Sequence, residues 1–242
     1  KIINDIENEK NIEVENTTPI NNEITLLHLS STKIETYNSC PLKYRLKYID
    51  KVPERKSRST GEFGSIIHTI LEEYHGLEKK DQTKKELFKL LNKHWREDAF
   101  EYRKRGEEFR KQGEEILLAY FEHIQNNHPN VIGREVGFTY IMDDVNVKIS
   151  GKIDRIDDNR KTFGIVDYKT SRKKEKAEKN IQMALYTEAL LNGAIENISG
   201  KPGEAILHFL RFGDDPISAH IFTEEELENY RDKIRNVAIG IR

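Results

Sequence analysis

Residues 147–186, VKISGKIDRIDDNRKTFGIVDYKTSRKKEKAEKNIQMALY, restrict the fold more than any other stretch of this chain. Val147, Ile149 and Ile153 alternate with polar neighbours, which is the two-residue period of a strand with one buried face. The polar run Asp157-Asp158-Asn159-Arg160 reads as a turn. Thr162 to Lys169, rich in Phe, Ile and Val, reads as a second strand, so the pair predicts an antiparallel hairpin. Side chains two apart on a strand share a face, which sets Asp167 beside Lys169. Asp154 lies near the turn end of the first strand. In register, Asp154, Asp167 and Lys169 converge.

Two carboxylates beside a lysine have a definite chemical use. Hard divalent cations such as Mg²⁺ take oxygen ligands, commonly one or two carboxylates with waters and substrate phosphate. The ion lowers the pKa of bound water and offsets phosphoryl charge, while a lysine can orient the water or meet developing negative charge. Taken alone, Asp167-x-Lys169 reads more readily as a solvated hairpin end with a salt bridge.

The neighbouring residues carry more. Gly151-Lys152-Ile153-Asp154-Arg155-Ile156-Asp157 is followed by Ile165-Val166-Asp167-Tyr168-Lys169-Thr170-Ser171 and then Gln182-Met183-Ala184-Leu185-Tyr186. Upstream stand Gly64, His68, Leu71 and Glu72. In that order these resemble the PD-(D/E)xK nuclease superfamily, specifically its RecB-like branch. That branch has G-x-x-x-H-x-x-L-E, G-x-x-D-x-x-D, D-x-K and Q-x-x-x-Y, and the match spreads over roughly half the chain.

The resemblance implies an α/β fold: a restriction-endonuclease-like core, a mixed sheet in the order α-β-β-β-α-β, behind an amino-terminal helical subdomain. It implies a metal-dependent DNA nuclease of the kind attached to UvrD-, RecB- and AddB-type helicase motors in DNA repair or recombination. By the same resemblance His68, Asp154, Asp167 and the Tyr168 backbone carbonyl hold Mg²⁺ or Mn²⁺. Lys169 positions the attacking water, Gln182 supports it and Tyr186 faces DNA, although Tyr186 also suits simple packing with Leu185 and Leu190. Glu135 resembles an acidic position of the family and suits either a water-mediated metal contact or a structural hydrogen bond. Two other readings share the fold: a catalytically silent DNA-binding or scaffold domain, and a stand-alone CRISPR-associated-type exonuclease.

Composition sets outer limits. The 242 residues carry a formal net charge of −2, so any nucleic-acid contact must come from local patches. No apolar run is long enough to span a bilayer, no signal peptide is visible, and Cys40 stands alone. A cytoplasmic protein with no membrane association is expected. Residues 1–23, rich in Asn and Glu, read as a disordered or linker lead-in. Residues 24–242 read as a single nuclease domain, mainly helical over 24–128 with the His68 motif, and with the catalytic core over 129–242. The opening Lys1 and the helix running to Arg242 suggest a segment of a longer protein.

Within the helical part, Ser30 or Ser31 is an N-cap with Glu35 near the capping-box position, and Pro41 starts a helix. Leu42, Leu46 and Ile49 fall at helical spacing and are expected in the core. Lys43 and Lys47, interleaved with Tyr44 and Tyr48, suit either a phosphate-lined groove or a solvated helix face. The Cys-Pro-Leu-Lys-Tyr string resembles the entry segment of RecB-type nuclease domains, which favours DNA. In AddB and the CRISPR-associated exonucleases a cysteine here is one of four ligands of an iron–sulfur cluster. One thiolate cannot hold such a cluster within this chain, so Cys40 reads as a small buried hydrophobe.

Helices are expected from Gly61 through Tyr74, over Lys84–Arg103 and over Glu107–Asn127, with Trp95 packed among them and His75 and His94 without special roles. A strand over Val131–Met142 opens the sheet. Arg172, Lys173 and Lys174 form a basic loop after Lys169, suited to phosphate or simply solvated. A helix over Ile181–Leu191, strands over Ala205–Phe212 and Ile217–Phe222, and a helix from Glu224 complete the chain. Gly151-Lys152 lacks the remainder of a phosphate-binding loop, so no ATPase is evident.

Overall fold

A computed structural model describes residues 26–53, 58–125 and 128–242; the expected lead-in over 1–23 lies outside the described residues. Strand β3 (Val147–Asp158) is the spine. Its alternating burial over Val147–Ile149 becomes continuous from Ile153 to Asp157, because from there helices cover both faces. Strand β2 (Val131–Met142) pairs antiparallel with it from Val131↔Asp157 to Met142↔Val147. The opposite edge of β3 is divided. The short β1 (Leu27–Leu29) pairs parallel with Val147–Ile149, and β4 (Phe163–Lys169) pairs antiparallel with Arg155–Asp158. Between those partners, residues 150–154 have no paired strand on that edge among the described residues.

Strand β5 (Pro202–Phe209) runs parallel to β4, and β6 (Ile217–His220) antiparallel to β5, giving the order β1-β3-β4-β5-β6 with β2 also on β3. A parallel neighbour needs a crossover, and helix α6 (Ile181–Leu191) supplies it between β4 and β5.

Two helical layers sandwich the sheet. Helices α1 (Ser31–Ser39) and α7 (Glu224–Ile241) join α6 over a core containing Ile149, Ile156, Ile165, Leu185, Leu207 and Ile234. Helices α3 (Arg58–His75), α4 (Lys84–His94) and α5 (Arg103–Gln125) form the other layer. Their Phe63, Ile67, Ile70, Leu87, Leu91 and Leu117 pack with Val166, Tyr168 and Leu210 of the sheet side. Adjacent Ile165 and Val166 therefore enter different cores, as the strand period requires. Each such buried aliphatic contributes about 1.5–3 kcal/mol. The architecture is the expected α/β one, with α3 preceding β2-β3-β4-α6-β5.

Several local expectations fail for identifiable reasons. Leu42, Leu46 and Ile49 are 61%, 42% and 56% exposed rather than buried. Their spacing presumes one continuous α-helix, but α2 (Pro41–Tyr44) lasts a single turn and then widens into a π-turn over Arg45–Ile49. That turn closes with Asp50 N donating to Arg45 O at 2.9 Å, five residues back, so the apolar stripe rotates outward and Tyr44 turns inward instead. Cys40 is half-buried and caps α2, its Sγ accepting from Lys43 N at 3.4 Å, rather than filling a core site. Ser30 caps α1, but the third helical residue is Lys33, so Glu35 closes no capping box. The hairpin turn spans Asn159–Thr162, with Asn159 N donating to Thr162 O at 2.9 Å, and Asp157 is a buried strand residue. Helix α4 stops at His94, eight residues before α5 resumes after Tyr102, because Trp95 turns extended and stacks on Phe100. Among the described residues, no helix is long and apolar enough to cross a membrane.

Candidate active site

The unpaired stretch of β3 opens a fork. Ladder pairing between β3 and β4 ends at Arg155↔Val166. One residue further a carboxylate takes over from the backbone: Asp154 Oδ2 accepts from Tyr168 N at 2.7 Å. Asp154 and Asp167 thus meet in the crotch of the fork, both buried. Burial and the Asp154 carboxylate push Asp167 up to about 6, against the pull of Lys169 and His68.

Lys169 Nζ stands 2.8 Å from Asp167 Oδ2 and donates to Gln182 Oε1 at 2.7 Å. Burial opposes its charge, but the Asp167 and Asp154 carboxylates outweigh that and raise its pKa, so it is an ammonium at neutral pH. Gln182 lies in the first turn of α6, which Asn180 caps by accepting from Met183 N at 3.1 Å. Gln182 Nε2 donates to Tyr186 Oη at 2.5 Å, one turn on, and the Tyr186 hydroxyl donates to Lys152 O at 2.5 Å. A side chain from α6 thereby satisfies a carbonyl in the unpaired stretch of β3. Tyr186 is 3% exposed and braces the site from within.

Helix α3 supplies the remaining groups. Its approach is close because Gly64 has no side chain: a Cβ there would lie 3.3 Å from Thr170 Oγ1, just past β4. One turn later His68 Nδ1 sits 3.3 Å from Asp154 Oδ2 and 3.9 Å from Glu135 Oε1. Burial disfavours its protonation, but Asp154, Asp167 and Glu135 together outweigh this and raise its pKa. In β2 the partners Arg134↔Arg155 and Val136↔Ile153 set Glu135 opposite Asp154. Glu135 has φ +48°, a left-handed backbone that costs a non-glycine residue about 1–3 kcal/mol and collects at functional sites. Its other oxygen pairs with Lys152.

This donor set fits a hard or borderline divalent cation. Ligand atoms of His68, Glu135 and Asp154 lie within 4.8 Å of one another, and the buried Asp167 carboxylate stands beside Asp154 with its Oδ2 paired to the Lys169 ammonium. An open cleft of 460 Å³, lined by His68, Glu72, Glu135, Lys152 and Asp154 among others, gives access from solvent.

The basic residues expected to touch DNA stand outside this group. Lys43 is exposed on α2, and Lys47 is half-buried with its ammonium 5.3 Å from the Tyr48 ring centre. Arg172 and Lys173 are exposed on the loop after β4. Lys174 is engaged: its ammonium donates to Asp215 O at 2.7 Å and to Asp215 Oδ2 at 2.6 Å, which straps the loop to the β5–β6 turn.

The sequence reading missed a polar cluster behind the fork. Arg155 Nε and Nη2 donate to Asp157 Oδ2 at 3.2 and 2.9 Å, and Arg155 Nη1 donates to the hydroxyls of Tyr120 and Tyr168 at 2.8 Å each. Burial opposes the Arg155 charge, yet Tyr168, Tyr120 and Asp157 hold its pKa above the usual value. The available signal was the charged pair Arg155 and Asp157 inside a strand otherwise buried on both faces.

Fold, fork and residue order agree with the sequence profile of the PD-(D/E)XK nuclease superfamily, which matches residues 28–242, and the chain belongs to that family. Within it the similarity runs to RecB-like proteins. The chain is 28% identical over 246 aligned positions to a subunit of an ATP-dependent helicase/deoxyribonuclease of Clostridium perfringens, covering 84% of this chain and 21% of that protein. Proteins of the same description in Clostridium botulinum and a Thermoanaerobacter species are 27% and 26% identical, covering 87% and 84% of this chain and 22% and 21% of theirs. The chain therefore spans about a fifth of the length of these curated relatives.

Proposed function

We propose that the chain is a Mg²⁺- or Mn²⁺-dependent deoxyribonuclease module that hydrolyses phosphodiester bonds and works beside a helicase motor in DNA repair or recombination. The observation that carries this reading is the fork, which gathers Asp154, Asp167, Lys169 and His68, with His68 and Asp154 lining an open cleft. The names of the relatives, helicase/deoxyribonuclease subunits, support DNA as the substrate and a motor as the partner.

In this reading His68, Asp154, Asp167 and the Tyr168 carbonyl hold the ion, with Glu135 at its margin through the Lys152 pair. A bound ion would lower the pKa of a water and offset charge on the phosphoryl oxygens. Lys169 carries its proton and so is no general base; it orients the water and meets the negative charge that develops on the phosphoryl group. Gln182 accepts from Lys169 and fixes where that ammonium points. Lys43, Lys47, Arg172 and Lys173 are the candidate phosphate contacts away from the scissile bond.

The test is incubation of end-labelled linear DNA and of circular DNA, single-stranded and duplex, with Mg²⁺, Mn²⁺ or EDTA. Substrate loss in either metal and none in EDTA is expected, and survival of the circles would mark end-dependent cutting. Binding without cutting in both metals would leave the silent scaffold reading in its place.

A further inference from the structure

Polar side chains lie buried behind the fork, at a place where apolar packing alone would hold sheet and helices together. Arg155 is 7% exposed and Asp157 7%, while Tyr120, Tyr168 and His75 are 1%, 4% and 7% exposed. The five side chains join three parts of the fold. Arg155 and Asp157 belong to β3, Tyr168 to β4, and Tyr120 and His75 to the helical layer. Besides the four Arg155 bonds, Tyr120 and Tyr168 share a hydrogen bond at 2.9 Å, and His75 Nε2 bonds the Tyr120 hydroxyl.

Tyr168 is the hub, because each part of it touches a different part of the site. Its backbone N–H donates to Asp154 Oδ2, and its carbonyl follows in the same residue. Its ring meets the candidate metal-binding histidine: the His68 and Tyr168 rings lie edge to face, centres 6.1 Å apart. Its hydroxyl is held from two directions, by Arg155 and by Tyr120. His75 follows His68 by about two turns of α3, on the same face. The bond from His75 to Tyr120 therefore fixes the rotation and height of the helix that presents His68.

We propose that Arg155, Tyr120 and Tyr168 form a buried clasp that sets the metal-binding geometry, holding the fork open at Asp154 and Asp167 and seating His68 against it. Arg155 and Tyr120 are positioning residues; they act through Tyr168 and α3 and do not reach the cleft. A guanidinium suits this task because its planar fork bonds a carboxylate through one edge and two hydroxyls through the other. The proposal rests on the nuclease reading above.

The experiment measures Mn²⁺ binding to the 242-residue chain by calorimetry, without DNA, for the unmodified protein and for Tyr120→Phe, Tyr168→Phe and Arg155→Lys. Thermal unfolding of each is recorded alongside. Removing a partner that orients ligands typically weakens metal affinity about 10- to 100-fold. The clasp predicts that loss in Tyr168→Phe and Tyr120→Phe while each stays folded at the temperature of the measurement, its unfolding temperature lowered only by the few degrees that buried groups left without a partner cost. It also predicts a matching fall in kcat with little change in KM for DNA. If Arg155→Lys fails to fold, the two tyrosine variants, which keep their rings, still decide. Tight Mn²⁺ binding in the unmodified chain and equal binding in folded tyrosine variants would overturn the clasp and leave the nuclease reading intact. No Mn²⁺ binding to the unmodified chain would overturn both.

Discussion

At the scale of single residues, the site depends on close approaches that leave no room for substitution. Gly151 pairs with Phe138 across β2 and β3, and a Cβ at 151 would lie 2.6 Å from the Phe138 ring. Gly151→Ala is expected to destabilise the fold by about 1–3 kcal/mol, the usual cost of overpacking, read as a lower urea midpoint with unchanged slope. An unshifted midpoint would mean that Phe138 moves freely. The first glycine of the G-x-x-D-x-x-D pattern is thus explained by packing three residues before the carboxylate. At this scale the sequence was most legible where chemistry and periodicity coincide. The two-residue strand period placed Asp167 with Lys169, and the helical one placed Gln182 near Tyr186. It was least legible for Tyr186, which the resemblance turned toward DNA and simple packing turned inward, while neither reading foresaw that its hydroxyl serves a backbone carbonyl of β3.

At the scale of elements, the fork is held by α6. The β3 edge over 150–154 lacks a strand among the described residues, and the Tyr186 hydroxyl reaches Lys152 O while Gln182 ties that hydroxyl to Lys169. Tyr186→Phe removes one hydroxyl and leaves a carbonyl and an amide without their partner. The expected loss is about 1–3 kcal/mol of stability, together with a fall in cleavage rate because Gln182 no longer has a fixed orientation. Denaturation and single-turnover cleavage of the variant check both, and an unchanged rate would free Gln182 of its supporting role. Elements bounded by strong signals were readable to the residue: β2 over Val131–Met142 and α6 over Ile181–Leu191. Strand β1 was not, because three residues carry too little pattern to register and its stability comes from pairing with β3. The α2 segment misled for a different reason, since a π-turn changes the residues per turn and nothing in its composition announces it.

At the scale of the whole molecule, the helical layer of α3, α4 and α5 meets the sheet through neutral imidazoles as well as apolar side chains. Burial, with the Arg155 charge second, holds His75 and His208 down to about 3. Their folded values lie below the unfolded one of about 6.5, so as pH falls the unfolded chain takes up protons first. Their contribution is complete above about pH 6.5 and is lost progressively toward pH 3, with a slope of at most ~1.4 kcal/mol per pH unit for each histidine. Urea midpoints between pH 7 and pH 4 should therefore drop, and His208→Asn should flatten the drop; equal slopes in both proteins would contradict it. The same interface carries His68 to the fork, so the helical layer and the β3–β4 hairpin build the candidate site together.

The most direct measurement is the single-turnover rate of cleavage of end-labelled linear DNA in Mg²⁺ or Mn²⁺ by Lys169→Ala beside the unmodified chain, with circular dichroism to establish that both are folded. The account predicts that the unmodified chain cuts and that the folded variant loses at least about two orders of magnitude in rate, the usual cost of removing one group that stabilises developing charge. A folded Lys169→Ala that cuts at the unmodified rate would contradict it.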